Sequence, residues 1–121
     1  MIIEKKLKNG MPVFFDKIDG IQSATIGIFI GTGSKDERED EHGVSHLLEH
    51  MMFKGTKKRS AKDLSEELDD VGGNINAYTG KETTAYYIQV LSSILGVGID
   101  ILSDMFLNST FSNENLEKEK K

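Results

Sequence analysis

The fold of this sequence is decided by the stretch Asn74-Ile-Asn-Ala-Tyr-Thr-Gly-Lys-Glu-Thr-Thr-Ala-Tyr-Tyr-Ile-Gln-Val-Leu91. Two runs rich in β-branched and aromatic residues, 74–79 and 83–91, surround Gly80-Lys-Glu82, and this arrangement is typical of a β-hairpin. Apolar residues occupy both alternating faces toward the far end of the second run, so we expect that end to be buried on both sides. The stretch therefore predicts an antiparallel pair of strands.

Three further strands are predicted between residues 2 and 32. The runs 2–7 and 11–16 surround Lys8-Asn9-Gly10, and Asn-Gly is the strongest short signal for a tight hairpin turn. Apolar residues repeat with period two along the run 23–32, so they share one face of a strand: Ala24, Ile26, Ile28 and Ile30. The sequence before residue 33 thus predicts a second hairpin and one longer strand.

Four helices are predicted from apolar residues at spacings of three and four, and from capping residues. The first covers about residues 43–53 and follows a charged loop at 31–42. The second has Ser60 as its N-cap and ends at Gly72-Gly73. Its apolar stripe comprises Leu64, Leu68 and Val71.

The third and fourth helices complete the predicted elements. Ser93 is the candidate N-cap of the third helix, and Gly96 and Gly98 within it suggest close packing against the sheet. Its apolar residues recur at helical spacing: Ile94, Val97, Ile101, Leu102 and Met105. Ser112 and Asn113 offer an N-cap to the fourth helix.

These elements indicate an α+β fold in which helices pack on one face of an antiparallel sheet. A chain of 121 residues is long enough for one small domain. The last helix begins at a good cap but reaches Lys121 without a Gly, Asn or Pro to end it. We therefore expect residues 1–121 to be part of one domain that is truncated within its last helix.

Composition excludes several classes of protein. Fifteen basic and twenty acidic residues give a net charge of −5, and no basic patch with aromatics is present, so we expect no nucleic-acid partner. The chain has no cysteine, so a metal site must use imidazole and carboxylate ligands. No apolar run approaches the roughly 20 residues that span a bilayer, so we expect no membrane partner. The first ten residues resemble neither a signal nor a transit peptide, which predicts a cytoplasmic location.

The chemistry of the sequence is concentrated in His46-Leu-Leu-Glu49-His50. At about 100° per residue on a helix, His46 and His50 lie roughly 40° apart and one turn displaced, so both imidazoles can reach one metal ion. Glu49 projects about 60° to the other side of His46, within reach of a water molecule at that ion. The spacing predicts a zinc site with two histidine ligands and a carboxylate base.

An alternative is that His46 and His50 are surface or core histidines of an amphipathic helix, and that Glu49 pairs with Lys54 or a neighbouring cation. The clustering opposes it, because all three histidines of the chain lie between residues 42 and 50. His42 precedes the helix, and we interpret it as a loop residue. Zinc in hydrolases usually takes three protein ligands and a water, so the sequence must supply a third ligand elsewhere or lack it.

With this H-x-x-E-H motif of inverzincins, the chain resembles the pitrilysin family of zinc peptidases, which includes insulin-degrading enzyme and the β subunit of the mitochondrial processing peptidase. The resemblance spans nearly the whole chain, through Gly31-Thr-Gly-Ser34, Gly43-Val-Ser-His-Leu-Leu-Glu-His50, Phe53-Lys-Gly-Thr56 and the hairpin after Gly72. It implies that the parent protein is a zinc metalloendopeptidase. His46 and His50 are then ligands of Zn²⁺, and Glu49 is the catalytic base.

The resemblance also implies roles outside the motif. The third ligand would be a glutamate about 76 residues after His50, near position 126 and beyond Lys121, so we expect the isolated fragment to be inactive. Glu119 matches a supporting glutamate near the metal, although it is equally one charge of a solvated helix. Asn76 and Ala77 match an edge strand to which an extended peptide substrate adds. The alternative is that Asn74 and Asn76 are simply polar residues that face solvent on a strand.

Partners follow from the same resemblance. The family pairs such domains into a closed chamber, so we expect a second homologous domain or subunit beside the peptide substrate. An alternative function is that of a noncatalytic, peptide-binding partner subunit of a processing-peptidase-like complex. Such subunits usually lack an intact motif, whereas His46, Glu49 and His50 are all present here.

Overall fold

The computed structural model describes residues 2–119, which form an α+β fold and confirm the predicted class. The described strands are β1 (Ile2–Lys6), β2 (Pro12–Asp16), β3 (Ser23–Ile30), β4 (Asn74–Thr79) and β5 (Thr84–Leu91). The α-helices are α1 (Val44–Met52), α2 (Ala61–Asp70), α3 (Leu95–Asn108) and α4 (Asn113–Glu119). Every predicted strand and helix is therefore found within residues 2–119, with bounds that differ by a few residues. The predicted end of the fourth helix, at residues 120 and 121, lies outside the described residues.

Strands β3, β5 and β4 form one antiparallel sheet in that order, with β5 in the middle. The hairpin that joins β4 to β5 closes where the Gly80 amide donates to the Thr83 carbonyl at 2.8 Å. Among residues 2–119, no strand pairs with the outer side of β4, so β4 is an edge strand. This edge becomes important because α1 packs beside it.

Strands β1 and β2 form a separate two-stranded sheet rather than extending the three-stranded one. Their register pairs Ile3 with Phe15 and Lys5 with Val13, and every residue of both strands is exposed. The expectation of a single sheet is thus corrected. The hairpin signal at Asn9-Gly10 sets a local turn, but it does not determine what the ribbon packs against.

The hydrophobic core lies between one face of the three-stranded sheet and the helices. Its buried members come from α1, α2, β5 and α3: Met52, Leu64, Leu68, Tyr86, Ile88, Val90, Ile101, Leu102 and Met105. Helix α3 approaches β5 closely at Gly98, where an added Cβ would lie 3.3 Å from Val90 Cγ2. The prediction of close packing is confirmed at Gly98. It is wrong at Gly96, where no described atom apart from the adjoining backbone of its own helix lies within 4 Å of an added Cβ.

Two local expectations are wrong at the ends of β5. Its start is buried on both faces, at Thr84 and Ala85, whereas Gln89 and Leu91 at its far end are exposed. The physical reason is the loop after β3, which covers the start: the Thr84 hydroxyl donates to the Thr32 carbonyl at 2.8 Å. Ser93 lies in a 3-10 turn, and α3 begins after Ile94 without a side-chain cap.

The loop between α1 and α2 is fixed by a cluster of ionic hydrogen bonds. Arg59, with only 11% of its side chain exposed, donates to Asp104 at 2.8 Å, to Asp100 at 2.6 Å and to Glu67. Asp104 is buried and also accepts from the Thr56 hydroxyl at 2.7 Å. These bonds attach the loop between α1 and α2 to α3.

None of the helices within residues 2–119 is long and apolar enough to cross a bilayer.

Candidate metal centre

The N-terminus of α1 is capped by a side chain from the preceding loop. Gly43 stands at the N-cap with φ of 87° and has no side chain to accept a hydrogen bond. The carboxylate of Glu37 accepts from the Ser45 amide at 2.7 Å and from the Gly43 amide at 3.1 Å. The hydrogen bonds from these two amides, of which the one from Ser45 has the larger effect, hold the pKa of Glu37 below its ordinary value. Glu37 therefore orients the helix that carries the motif.

Helix α1 brings His46, Glu49 and His50 together as their spacing predicts. One possible ligand atom from each of the three lies within 4.8 Å of the others. The two imidazole rings meet edge to face, with centroids 4.4 Å apart and an interplanar angle of 86°. Both histidines are exposed and Glu49 is half-buried, so the group opens to solvent. His42 lies before the helix, is exposed, and is not part of this group.

The Nδ1 atom of His50 contacts helix α4. His50 Nδ1 lies 2.8 Å from Glu119 Oε2, and Lys54 Nζ lies 2.8 Å from Glu119 Oε1. Hydrogen bonds from Lys54 and then from His50 hold the pKa of Glu119 below its ordinary value. The structure thus brings Glu119 to the group, and it leaves Nε2 of His50 facing away from that carboxylate.

The carboxylate of Glu49 contacts the edge strand. The hydroxyl of Thr79, on β4, donates to Glu49 Oε2. The alternative pairing of Glu49 with Lys54 is wrong, because Lys54 pairs with Glu119 instead. Tyr86 lies in the core nearby. Its burial raises the pKa of its phenol, and the charge of Glu49 adds a smaller effect in the same direction. Among residues 2–119, the partner that holds Glu49 is therefore a neutral donor.

The outer edge of β4 runs past this carboxylate. Hydrogen-bonded positions alternate along an antiparallel pair, and Gly80 bonds to Thr83 across the β4–β5 hairpin. It follows that the backbone groups of Ala77 and Thr79 point away from β5, toward the open edge. The Ala77 amide donates locally to Asn76 Oδ1 at 2.8 Å. Asn76 itself is exposed and lines a shallow cavity of about 280 Å³ on the opposite face of the sheet.

Residues 13–121 match the family described as Insulinase (Peptidase family M16). The chain belongs to this family. It is 43% identical over 120 residues to YmxG of Bacillus subtilis, described as an uncharacterized zinc protease. This alignment covers 99% of this chain and 29% of that protein. It is also 43% identical over 114 residues to the mitochondrial-processing peptidase subunit beta of Rattus norvegicus, covering 94% of this chain and 23% of that one.

A solved structure shares the fold of this M16 chain. A protease from Helicobacter pylori superposes with a TM-score of 0.93 at 23% identity, over 99% of this chain and 29% of that one. At this identity the likeness establishes the fold alone. The chain therefore spans less than a third of the length of the relatives that it matches.

Zinc is the metal of this family, and the residues present fit it. Imidazole nitrogens and carboxylate oxygens are borderline-hard donors that suit Zn²⁺, and no thiolate competes in a chain without cysteine. In the part of the chain that the structure describes, His46, Glu49 and His50 are the only group of three such side chains close enough to share an ion.

Two supporting residues of the site lie outside the motif that the sequence marks. Glu37 belongs to the charged loop before α1, and the signal for it is that a helix that starts at Gly43, which has no side-chain acceptor, needs an acceptor from outside the helix. The sequence pattern predicts only that Thr79 belongs to a strand. Its contact with Glu49 joins positions 30 residues apart, and no local pattern marks such a pair.

Proposed function

We propose that this chain carries the zinc-binding half of the active site of a metalloendopeptidase, with His46 and His50 as metal ligands and Glu49 as the general base. The observation that supports this most strongly is the division of roles in the geometry. Nδ1 of His50 is held by Glu119, as one ring nitrogen of a metal-ligating histidine usually is by a carboxylate, whereas Glu49 is held at one oxygen by Thr79. The other oxygen of Glu49 is then available for proton transfer.

The reaction is hydrolysis of a peptide bond. Zinc, when bound, supplies Lewis-acid polarisation of the scissile carbonyl and lowers the pKa of a water molecule. Glu49 takes a proton from the attacking water and later gives it to the leaving amine. His46 and His50 bind as neutral imidazoles, and Glu119 fixes which nitrogen of His50 is free to coordinate.

The site needs a third protein ligand, which we propose is a glutamate near position 126 of the full-length protein. The described part of α4 already contacts α1 through Glu119, about seven positions earlier in the sequence. The isolated fragment is accordingly inactive in this proposal. It would bind zinc weakly through His46 and His50 alone.

The substrate in this proposal is a peptide in extended form. A chain that adds to the open edge of β4 would hydrogen-bond to the outward-pointing backbone of Ala77 and Thr79 and pass beside Glu49. The Asn76 side chain accepts from the Ala77 amide, and it would be displaced when a strand adds. Backbone pairing of this kind selects unfolded peptides over folded proteins.

The remainder of the assembly is also proposed from the family. A second homologous domain or subunit would cover this site, and one group of relatives carries the name subunit beta of a processing peptidase. The cytoplasmic location stays a prediction, since the relatives include proteins named mitochondrial.

The proposed function is tested by Glu49→Gln in the full-length protein. Gln keeps the shape and the hydrogen bond to Thr79 but cannot accept a proton, so we expect peptide hydrolysis to fall about 100- to 10,000-fold while zinc stays bound. Glu66→Gln is the control, because Glu66 is an exposed glutamate of α2 that pairs only weakly with Lys62 at 3.7 Å. Turnover of the Glu49→Gln variant at the wild-type rate would overturn the assignment. Peptide binding without any hydrolysis by the wild type would favour the noncatalytic subunit.

A further inference from the structure

We propose that Thr79 is a positioning residue, which couples the substrate-binding edge of β4 to the general base Glu49. The inference rests on the proposed function and adds to it a residue outside the metal motif. Its basis is a single contact: the Thr79 hydroxyl donates to Glu49 Oε2, and both side chains are half-buried. A catalytic glutamate has three rotatable bonds, and without a partner its carboxylate would occupy several rotamers.

The position of Thr79 in the strand directs its side chain toward Glu49 and its backbone toward the open edge of the sheet. Its side chain lies on the helix-facing side of β4, where alternate residues Ile75, Ala77 and Thr79 are half-buried. Its backbone points to the open edge, by the alternation that follows from the Gly80–Thr83 hydrogen bond. A peptide strand that pairs with the backbone of Thr79 is therefore directly connected to the carboxylate that must act on it.

The hydroxyl is itself well fixed. Threonine is branched at Cβ and has restricted χ1 rotation, so the position of its backbone largely sets the position of its hydroxyl. Strand β4 pairs with β5 along all six of its residues, up to Thr79 opposite Thr84. Rigid strand pairing thus defines where Glu49 Oε2 lies, and Oε1 is left to face the attacking water.

This arrangement predicts a register for the substrate. The carbonyl to be cleaved belongs to the segment that pairs at Ala77 and Thr79, because only there does the edge lie beside Glu49. Peptide segments paired nearer to Asn74 lie further along the strand, about 3.3 Å per residue, and leave the reach of the carboxylate. Specificity for extended peptides and placement of the base then share one structural element.

The test compares hydroxyl-retaining and hydroxyl-lacking variants of the full-length protein. Thr79→Val keeps the branched shape without the hydroxyl, Thr79→Ser keeps the hydroxyl, and Thr79→Ala serves as the partner of Ser if Val disturbs folding. Thr84→Val is the matched control, since its buried hydroxyl donates at 2.8 Å to the Thr32 carbonyl in the loop after β3 and not to Glu49. The readouts are kcat and KM on a quenched fluorescent peptide without proline, and zinc affinity by chelator competition.

We expect Thr79→Val and Thr79→Ala to lower kcat about 10- to 100-fold, as a misplaced catalytic group does, with zinc affinity and KM within about twofold of the wild type. Thr79→Ser should recover most of kcat, and Thr84→Val should leave kcat unchanged. On a Glu49→Gln background, Thr79→Val should cause no further loss, because the group that it positions is already gone.

Two outcomes would overturn the inference and leave the proposed function intact. The first is a wild-type kcat for both Thr79→Val and Thr79→Ala while Glu49→Gln is inactive. The second is a parallel loss of zinc affinity and thermal stability that Ser does not rescue, which would mean that the hydroxyl only supports the fold. An active Glu49→Gln variant would instead refute the proposed function itself, so the two failures are distinguishable.

Discussion

Replacing Glu119 by Gln should weaken zinc binding without unfolding the protein. In the structure, one oxygen of Glu119 lies 2.8 Å from His50 Nδ1 and the other lies 2.8 Å from Lys54 Nζ. A Gln amide has one oxygen and one NH₂ group, so it can accept from only one of these two donors and must present its own donor to the other. The variant therefore loses either the orientation of His50 or the contact with Lys54.

Loss of a carboxylate that orients a metal-ligating histidine costs about 10- to 100-fold in metal affinity, and we expect the Glu119→Gln variant to fall in this range. The assay is competition between the full-length protein and a chromophoric zinc chelator at constant pH. Glu114→Gln is the control, because Glu114 lies on the same helix but is exposed and pairs only with Lys118 at 3.4 Å. Equal zinc affinities of Glu119→Gln and the wild type would refute the reasoning, and Glu119 would then be an ordinary surface charge.

Two further predictions concern the supports of α1. Asp104 is 3% exposed, and Asp104→Ala leaves Arg59 and Thr56 without their buried acceptor. We therefore expect the free energy of unfolding, measured with urea, to fall by about 3–5 kcal/mol. The control variant Asp100→Ala removes an exposed carboxylate and should lose far less. The pKa of Glu37 is lowered in the folded state, so its stabilising contribution is present above the carboxyl's ordinary pKa and is lost as pH falls through the folded value. Glu37→Gln should therefore flatten the decline of the melting temperature on acidification. An unchanged acid dependence would show that Glu37 does not cap α1.

Local patterns were enough to predict most of the elements. Ser60 and Asp63 form the capping box that starts α2, and both signals lie within four residues of each other. The β4–β5 hairpin follows from alternation around its turn, and the grouping of His46, Glu49 and His50 follows from helical spacing alone. In each case the interacting residues are near neighbours in sequence, so periodicity determines their geometry.

Features that depend on distant contacts could not be predicted in this way. The buried start of β5 depends on the loop that ends β3, and Glu49 meets Thr79 only after the chain has folded α1 against β4. The Arg59 cluster joins a loop to residues more than 40 positions away. Such pairings are set by the packing of whole elements, and a single sequence carries no local mark of them.

The contact between Glu119 and His50 is an intermediate case. The resemblance to the M16 peptidases indicated that Glu119 lies near the metal, but the spacing of residues along α4 says nothing about which histidine it meets. The structure assigns the contact to Nδ1 of His50 and adds Lys54 as the second partner. The structure therefore specifies the atoms that a substitution of Glu119 would affect.

The central claim, that His46 and His50 bind zinc while Glu49 does not, is tested most directly by zinc titration of three variants of the full-length protein. The account predicts that His46→Ala and His50→Ala each lose more affinity than the roughly 10- to 100-fold expected for a supporting group, and that Glu49→Gln binds zinc as the wild type does. A Glu49→Gln variant that loses zinc as severely as the histidine variants would contradict the claim, because Glu49 would then be a ligand and the base would have to be another residue.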